Sequence, residues 1–523
     1  MGRTVTLPIN IGCGGGRTLQ EEIYSSIRRS IVDGLVGEAR RLPSTRALAA
    51  ELGVSRTTVT LALEHLQAEG YLVSRRGSGT FIAEELPDSE PRTRSQGATR
   101  KISGHRGTAT ASVTCTRDVK RPSFSLRGRA LAEARAPDRR GRVPNRAFRM
   151  GTPALDLFPL RLWSRMTHQC VRAFKTSQLD YSARAGLQTL REGIAEQVRS
   201  RGTKCDPKQV IVVAGAQRAL DLVFHLLLDP GDLVWMEEPG YTGAQSAFVA
   251  AGASITLVPV DAHGIDIPYD IRSSRHRQGQ HDARLAYVTP SHQFPLGVVM
   301  SLDRRQNLLA WANRSRSWIV EDDYDCDFRW QVRPLPCLHA LDADDRVIYV
   351  GTFSKTLFPA IRMGFLIAPH DLAEGVASAR LASDVHPPVL EQAVLAEFMA
   401  RGHYQRHLRR MRAVYMERLD ALEKAIRHCG APLRLRPVHT GLHAVVDLDG
   451  VDAERVFREA AARDIEVMPL SHYYFGGGPR QNGLVLGFAS VQPAVIRAAV
   501  TQLAVAIEVA RRAVAGRRML ALT

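Results

Sequence analysis

Seven short apolar runs punctuate the chain between residues 209 and 369: "QVIVVAGA", "LVWMEE", "SITLVPV", "RLAYVTP", "SWIVEDD", "VIYVGTF" and "GFLIAP". Each is apolar at successive positions rather than at alternate ones, so each is a strand to be buried on both faces. Helical patterns such as "QRALDLVFHLLL" and "RRQNLLAWANRSR" separate them. Continuous apolar strands alternating with helices predict a mostly parallel sheet with helices on both sides, an α/β architecture. Beyond about residue 380 the pattern predicts a smaller α+β unit with one long helix over "LEQAVLAEFMARGHYQRHLRRMRAVYMERLDALEKAI". No internal repeat is evident.

The first part of the chain follows a different rule. "LQEEIYSSIRRSIVDGLV" carries Ile23, Ile27 and Ile31 at a four-residue recurrence, which predicts an amphipathic helix. In "STRALAAELG", Ser44 caps a second helix and Gly53 stops it. "VSRTTVTLALEHLQAEG" starts at a further cap, Ser55, runs along Val59, Leu63 and Leu66 and ends at Gly70, and "YLVSRRGSGTFIA" reads as two strands around a glycine-rich turn. Helix, helix, turn, helix, hairpin is the order of a winged helix-turn-helix, a mainly α head over residues 17–83. In that motif the first turn of the last helix enters the major groove. Arg56, Thr57 and Thr58 then face bases and phosphates, Arg46 the backbone, and Arg75, Arg76 and Gly77 lie in the wing. A small helical interaction module is the competing reading.

A chain of 523 residues with 45% hydrophobic residues holds two or three folded units. The net charge of +17 calls for an anionic partner such as nucleic acid. Its location is uneven: residues 91–149 hold 16 Lys and Arg against 3 Asp and Glu, whereas residues 17–83 hold 9 against 7. Residues 84–147, rich in Arg, Ser, Thr, Pro and Gly, read as a basic flexible linker whose charge either tracks phosphate or extends the tether by self-repulsion. The seven cysteines are dispersed, with no CxxC pair and no ligand-like spacing to histidine, so neither a disulfide frame nor a metal site is expected. No uninterrupted apolar run reaches the roughly 18 residues of a membrane span, and the first residues lack a signal-peptide core. A cytoplasmic protein with no membrane partner is the expectation.

Residues 351–364, "GTFSKTLFPAIRMG", set Lys355 among hydroxyls and apolar groups after a strand. A lysine at a strand end ordinarily reaches water along its own stem. In a half-buried pocket it instead loses solvation of its charged form, and the neutral amine can capture a carbonyl as a Schiff base. Ligands of open α/β sheets bind beyond the carboxyl ends of strands, and three further groups fall there. Ala214-Gly215-Ala216-Gln217 opens a helix with small residues that let backbone N–H groups approach a phosphate. In "EDDYD", Asp322 and Tyr324 project from one face of a strand, a carboxylate for a pyridinium proton and a phenol for a ring oxygen. An amine, an acid facing a ring nitrogen and a phosphate cup are what pyridoxal 5'-phosphate requires.

The order and spacing of these parts resemble fold-type I aminotransferases over residues 148–510, within an expected effector domain at 148–515. "LPSTRALAAELGVSRTTVTLALEHLQAEGYLVSRRGSGTF" resembles the GntR-type winged helix. "TPSHQFPLGVVM", "EDDYDCDFRW" and "GTFSKTLFPAIRMGF" resemble more specifically the MocR subfamily of GntR regulators, which fuse the two. The resemblance implies Lys355 as the Schiff-base residue, Asp322 as the ring-nitrogen partner and Tyr324 beside the ring hydroxyl. Gly215, Ala216, Gln217, Thr352 and Arg362 are phosphate-cup candidates, and Tyr241 of "EEPGY" is a ring-stacking candidate that serves equally as packing. Tyr181 resembles the tyrosine that aminotransferases lend to a partner's phosphate across a dimer interface. Arg46, Ser55, Arg56, Thr57, Thr58, Arg75, Arg76 and Gly77 are the implied DNA-contact region.

Two departures shape the functional expectation. Family members that sense GABA carry an arginine two residues after the tyrosine of "PGY", where this chain has Gly243. Aminotransferases clamp the substrate carboxylate with an arginine on a late strand, and "GLVLGFAS" has none. The sequence therefore predicts a homodimeric, head-to-tail, operator-binding regulator that senses pyridoxal phosphate or an amino compound, with pyridoxal phosphate the first choice, as in PdxR-type members that control vitamin B6 synthesis. A working aminotransferase with an auxiliary DNA-binding head, Arg480 replacing the absent arginine, is the alternative. A scaffold that has lost its cofactor is the third class.

Overall fold

A computed structural model describes residues 9, 18–33, 41–75, 79–83, 124–133, 146–267, 283–329 and 335–520. The chain divides into two compact units, Met1–Arg117 and Asp118–Thr523.

In the first unit, α1 (Leu19–Val32) opens with a capping box in which Thr18 accepts from the Glu21 amide and the Glu21 carboxylate accepts from the Thr18 amide. Helices α2 (Thr45–Leu52) and α3 (Arg56–Ala68) start at Ser44 and Ser55, whose hydroxyls accept from Ala47 and Thr58 amides. Gly53 ends α2 in the left-handed region at φ 65°, a conformation that costs glycine nothing. Strands β1 (Leu72–Arg75) and β2 (Gly79–Ile82) pair antiparallel, Leu72 opposite Ile82 and Arg75 opposite Gly79. Ile23, Ile27, Val59, Leu63, Leu66 and Leu72 form one buried core. The periodic positions of the sequence are therefore the packed ones.

The described part of the second unit opens with α4 (Leu126–Glu133), which packs on the helix Thr242–Ala251; the expected linker is thus not structureless throughout. The further helices are α5 (Leu160–Ala173), α6 (Gln188–Arg199), α7 (Ala216–Leu227), α8 (Thr242–Ala251), α9 (Leu302–Ser315), α10 (Leu338–Leu341) and α11 (His370–Ser383). They surround an eight-stranded sheet made of β3 (Val210–Val213), β4 (Leu233–Glu238), β5 (Ser254–Asp261), β6 (Gly264–Ile265), β7 (Leu285–Val288), β8 (Trp318–Asp323), β9 (Val347–Thr352) and β10 (Gly364–Ile367). The order is β3-β10-β9-β8-β7-β4-β5-β6. All seven apolar runs are strands of this sheet. The five strands from β9 to β5 run parallel, and β10 and β6 run antiparallel to their neighbours. The sheet is therefore mixed: period alone distinguishes strand from helix but not a strand's direction.

The last part adds α12 (Val389–Ala400), α13 (His403–His428), α14 (Ala453–Ala461) and α15 (Pro493–Leu520) around a four-stranded antiparallel sheet. Its strands are β11 (Leu433–Leu435), β12 (His443–Leu448), β13 (Met468–Pro469) and β14 (Gly483–Gly487). The single long helix expected there is two, because Gly402 at φ 70° breaks the chain between α12 and α13. Phe148 is wholly buried, and its carbonyl accepts from the Gly487 amide at 2.8 Å, so the start of the effector region is stitched to its end. One stretch of α15, Pro493–Arg512, is long and apolar enough by length and composition to cross a membrane. Its Ile496, Val500, Leu503 and Ile507 are buried in the shared core, and the helix packs on α13 and α14.

Candidate cofactor site and nucleic-acid interface

Three neighbouring strands present the central groups. Asp322, at the penultimate position of β8, is buried. The strand's alternation separates it from its neighbours: Glu321 accepts from the Leu338 and His339 amides, and Asp323 from the Tyr349 hydroxyl, while Asp322 Oδ2 accepts from the Tyr287 hydroxyl of β7 at 2.8 Å. Asp322 Oδ1 is buried without a hydrogen-bond partner. Burial pushes this carboxyl up to about 7, with Asp323 and Asp325 adding repulsion and Tyr287 and Lys355 pulling the other way. A buried carboxylate with one oxygen anchored and the other unsatisfied fits a cationic N–H donor such as a pyridinium.

Lys355 sits on the turn after β9 and donates from Nζ to the Gly151 carbonyl at 2.9 Å. Gly151 has φ 72°, and a Cβ there would lie 2.5 Å from Nζ, so a side chain at 151 would displace the amine. Tyr324 lies one residue past the end of β8. Its hydroxyl donates to the His292 carbonyl at 2.9 Å and lies 3.1 Å from His292 Nδ1. Burial raises its phenol well above the ordinary range, and Asp325 and Asp322 raise it further.

The cup candidates converge because β10 lies between β3 and β9, so Gly364 is opposite both Val213 and Thr352. Gly215, at φ 95°, caps α7, and Ala216 is its first residue. Arg362 holds the left-handed region at φ 47°, a conformation uncommon for a residue with a side chain, and its guanidinium donates to the Ala214 carbonyl at 3.0 Å. Thr352 Oγ1 accepts from the Ser354 amide at 3.2 Å. A helix N-terminus, a hydroxyl and a guanidinium at one place suit a phosphate. Gln217 is turned away from a purely cup-lining role, since it donates to the Gly243 carbonyl at 2.8 Å and accepts from the Tyr241 hydroxyl at 3.3 Å. Tyr241 packs edge-on against Phe294, centroids 5.6 Å apart. Tyr181 is set apart: it is 82% exposed, and its ring lies edge-on to that of His386, centroids 6.1 Å apart.

A Cβ at Gly243 would lie 2.2 Å from Gln217 Oε1 and 2.5 Å from the Tyr241 ring, so a larger residue there requires both to move. β14 is wholly buried, with Val485 opposite Val445 and Met468. Arg480 is exposed and donates to the Gly476 carbonyl at 3.3 Å.

Groups that sequence reasoning missed are Gly151, Tyr287, His292, Asp325 and His443. His292 lies in "TPSHQFPLG" and Asp325 in "EDDYD", both quoted for other residues; Tyr287 and His443 carry no local signal. On the far side of the same turn, Arg201 donates to Cys326 Sγ at 3.0 Å and pairs with Asp327, and burial holds the Cys326 thiol well above its ordinary range.

In the head, Arg46, Arg56, Thr57 and Arg75 are exposed, and the Arg75 guanidinium lies over the Phe81 ring at 5.2 Å. Ser55 and Thr58 have their hydroxyls 2.8 Å apart at the α3 cap, so both serve the helix start. Arg76 and Gly77 lie outside the described residues.

Residues 165–503 match the aminotransferase class I and II family model, and residues 19–82 match that of the bacterial regulatory proteins of the gntR family. The molecule is thus a DNA-binding regulator whose body has the fold of a fold-type I aminotransferase. Of curated proteins, the probable rhizopine catabolism regulatory protein MocR of Rhizobium meliloti is 38% identical, with 93% of each chain covered. The pyridoxine biosynthesis transcriptional regulator PdxR of Corynebacterium glutamicum is 32% identical, covering 92% of this chain and 95% of that one. The α-aminoadipate aminotransferase LysN of Thermus thermophilus, solved with N-(5'-phosphopyridoxyl)-L-leucine, superposes with a TM-score of 0.62 at 30% identity, covering 69% of this chain and 91% of that one. The chain belongs to the MocR-type transcriptional regulators of the GntR family.

Proposed function

We propose that the body binds pyridoxal 5'-phosphate and that its occupancy changes operator binding by the head. The observation that carries this reading is the convergence of Lys355 and Asp322, with Asp322 Oδ1 buried and unsatisfied. When bound, the cofactor supplies an aldehyde for capture by an amine and an electron-withdrawing ring. Lys355 supplies the amine, Asp322 holds the ring nitrogen's proton, Tyr324 meets the ring oxygen, and Thr352, Arg362 and the amides at Gly215 and Ala216 hold the phosphate. The protein acts in the cytoplasm as a homodimer, and exposed Tyr181 reaches the partner's phosphate site. A ligand shifts operator affinity only through unequal affinity for two arrangements of the protein.

Sensing is favoured over turnover because Val485 stands on the late strand without an arginine and Gly243 leaves no room for one. Turnover needs a substrate held in reacting alignment. The test loads the full chain with pyridoxal phosphate, records the visible spectrum, and measures binding to DNA selected from a random pool with and without cofactor. A visible band and a changed operator affinity are expected. No band on loading would overturn the cofactor assignment. Sustained keto-acid formation from amino acids and 2-oxoglutarate near the roughly 1 to 1,000 per second typical of enzymes would give the enzyme reading precedence.

A further inference from the structure

Behind Tyr324 lies a buried cluster that the roles above leave unused. His292 is 3% exposed, Asp325 2% and His443 3%. His292 follows β7 and Asp325 follows β8, and His292 Nδ1 lies 2.8 Å from Asp325 Oδ2. The contact ties together the segments beyond two adjacent parallel strands. The Tyr324 hydroxyl rests on the same histidine twice, through its carbonyl at 2.9 Å and beside Nδ1 at 3.1 Å.

We propose that the Asp325–His292 pair is the positioning device of Tyr324, holding the phenol against the cofactor's ring oxygen and keeping a buried negative charge beside it. The proposal rests on the cofactor reading given above.

The surrounding backbone is shaped to admit the imidazole. Gly441, at φ 87°, would with a Cβ stand 2.2 Å from His292 Cε1 and 2.6 Å from Asp325 Oδ2, and Gly297, at φ 77°, would stand 3.2 Å from His292 Nε2. Both positions thus need glycine for space as well as for conformation. The His443 ring lies tilted beside that of His292, centroids 4.7 Å apart, with Nε2 on the Pro295 carbonyl at 3.1 Å. Burial, with His292 next, drives its pKa well below the ordinary histidine value, so it is neutral and adds no cation. Asp325 Oδ1 has no hydrogen-bond partner, which leaves His292 to satisfy and orient the carboxylate. The other charged or titratable groups facing this place are Asp322, Glu237, Asp323 and Lys355. The three side chains offer donor atoms within 4.8 Å of one another. We read them as hydrogen-bonded rather than metal-binding, because His292 and Asp325 bond each other directly and His443 Nε2 is engaged by a carbonyl.

An anion near a titrating cation favours its protonated form. Replacing Asp325 by asparagine removes the charge and keeps the shape, so the pH midpoint of the Lys355-linked visible band should fall by about 1 unit, with Asp325→Glu restoring much of it. Glu321→Gln, within β8 and bonded to the Leu338 and His339 amides rather than to His292, is the control: it should lower thermal stability without moving the midpoint. An unchanged midpoint in Asp325→Asn, or an equal shift in Glu321→Gln, would overturn the proposal. Should Asp325→Asn fail to fold, ¹⁵N-histidine spectra of the wild-type full chain decide. The His292 Nδ1 resonance should move on cofactor loading; no movement would overturn the role. A wild-type protein without any visible band would instead sink the cofactor reading itself.

Discussion

In the head, the described residues expected to meet DNA run from Arg46 to Arg75, and their own helix caps and hairpin fix them. In the body, Gly215, Tyr287, Asp322 and Lys355 come from four different strands or the turns after them and Gly151 from the segment before α5, and they meet only once the large sheet has assembled. The head carries its geometry in hydrogen bonds three or four residues apart; the body carries its geometry in strand order. A local defect in the head should therefore be graded, whereas removal of one converging group from the body should abolish a function outright.

The largest expected effect tests the body. Lys355→Ala should abolish the visible band of bound cofactor entirely while the far-ultraviolet circular dichroism remains that of a folded protein, because one amine supplies the covalent link. A retained band would mean that convergence on Lys355 is not the organising fact. Next comes the head. Arg56→Ala should weaken binding to the selected operator by about 1–3 kcal/mol, the worth of a bidentate base contact, and leave the cofactor spectrum alone. Fluorescence anisotropy at fixed salt measures it, and wild-type affinity in the variant would relocate the recognition surface.

The smallest effect is one of slope. Without cofactor, Asp322 holds its proton up to about pH 7 in the folded state, against an ordinary value of 3.8, whereas the unfolded chain releases it near the lower value. Folded protein thus binds more protons in this window, and this group's contribution to stability falls as pH rises through it. Asp322→Asn lacks that loss, so its stability relative to wild type should increase from about pH 4 to about pH 7 and then level off. Urea unfolding at several pH values checks this, and a flat difference would show that Asp322 is less desolvated than its surroundings imply. Loading with pyridoxal phosphate should shrink the slope, since the ionised form then gains a partner.

The same contrast explains what could be read in advance. Ser44, Gly53 and Ser55 announce helix ends because capping is local, and seven of the eight strands of the large sheet are visible as apolar runs. Lys355, Asp322 and Tyr324 were legible as residue types at strand ends. Tyr287 was not, because a tyrosine inside an apolar strand looks like packing until β7 is known to lie beside β8. His443 comes from β12 in the smaller sheet, and nothing in "GLHAVVDL" tells that it reaches His292. The antiparallel insertion of β10 between β3 and β9 brings the cup candidates together, and direction is absent from an apolar pattern. Gly402 was visible in the sequence, but a lone glycine within a helical pattern costs only about 1 kcal/mol and need not break it.

The turn bearing Tyr324 also bears Cys326, whose thiol is held protonated by burial and bonded by Arg201. Alkylating reagents attack the thiolate, so Cys326, half-buried and with its thiol raised by burial, reacts faster whenever the turn opens and that burial is relieved. Its labelling rate consequently rises with local opening at the candidate site. The molecule carries there a chemical recorder of how often Tyr324 is let go.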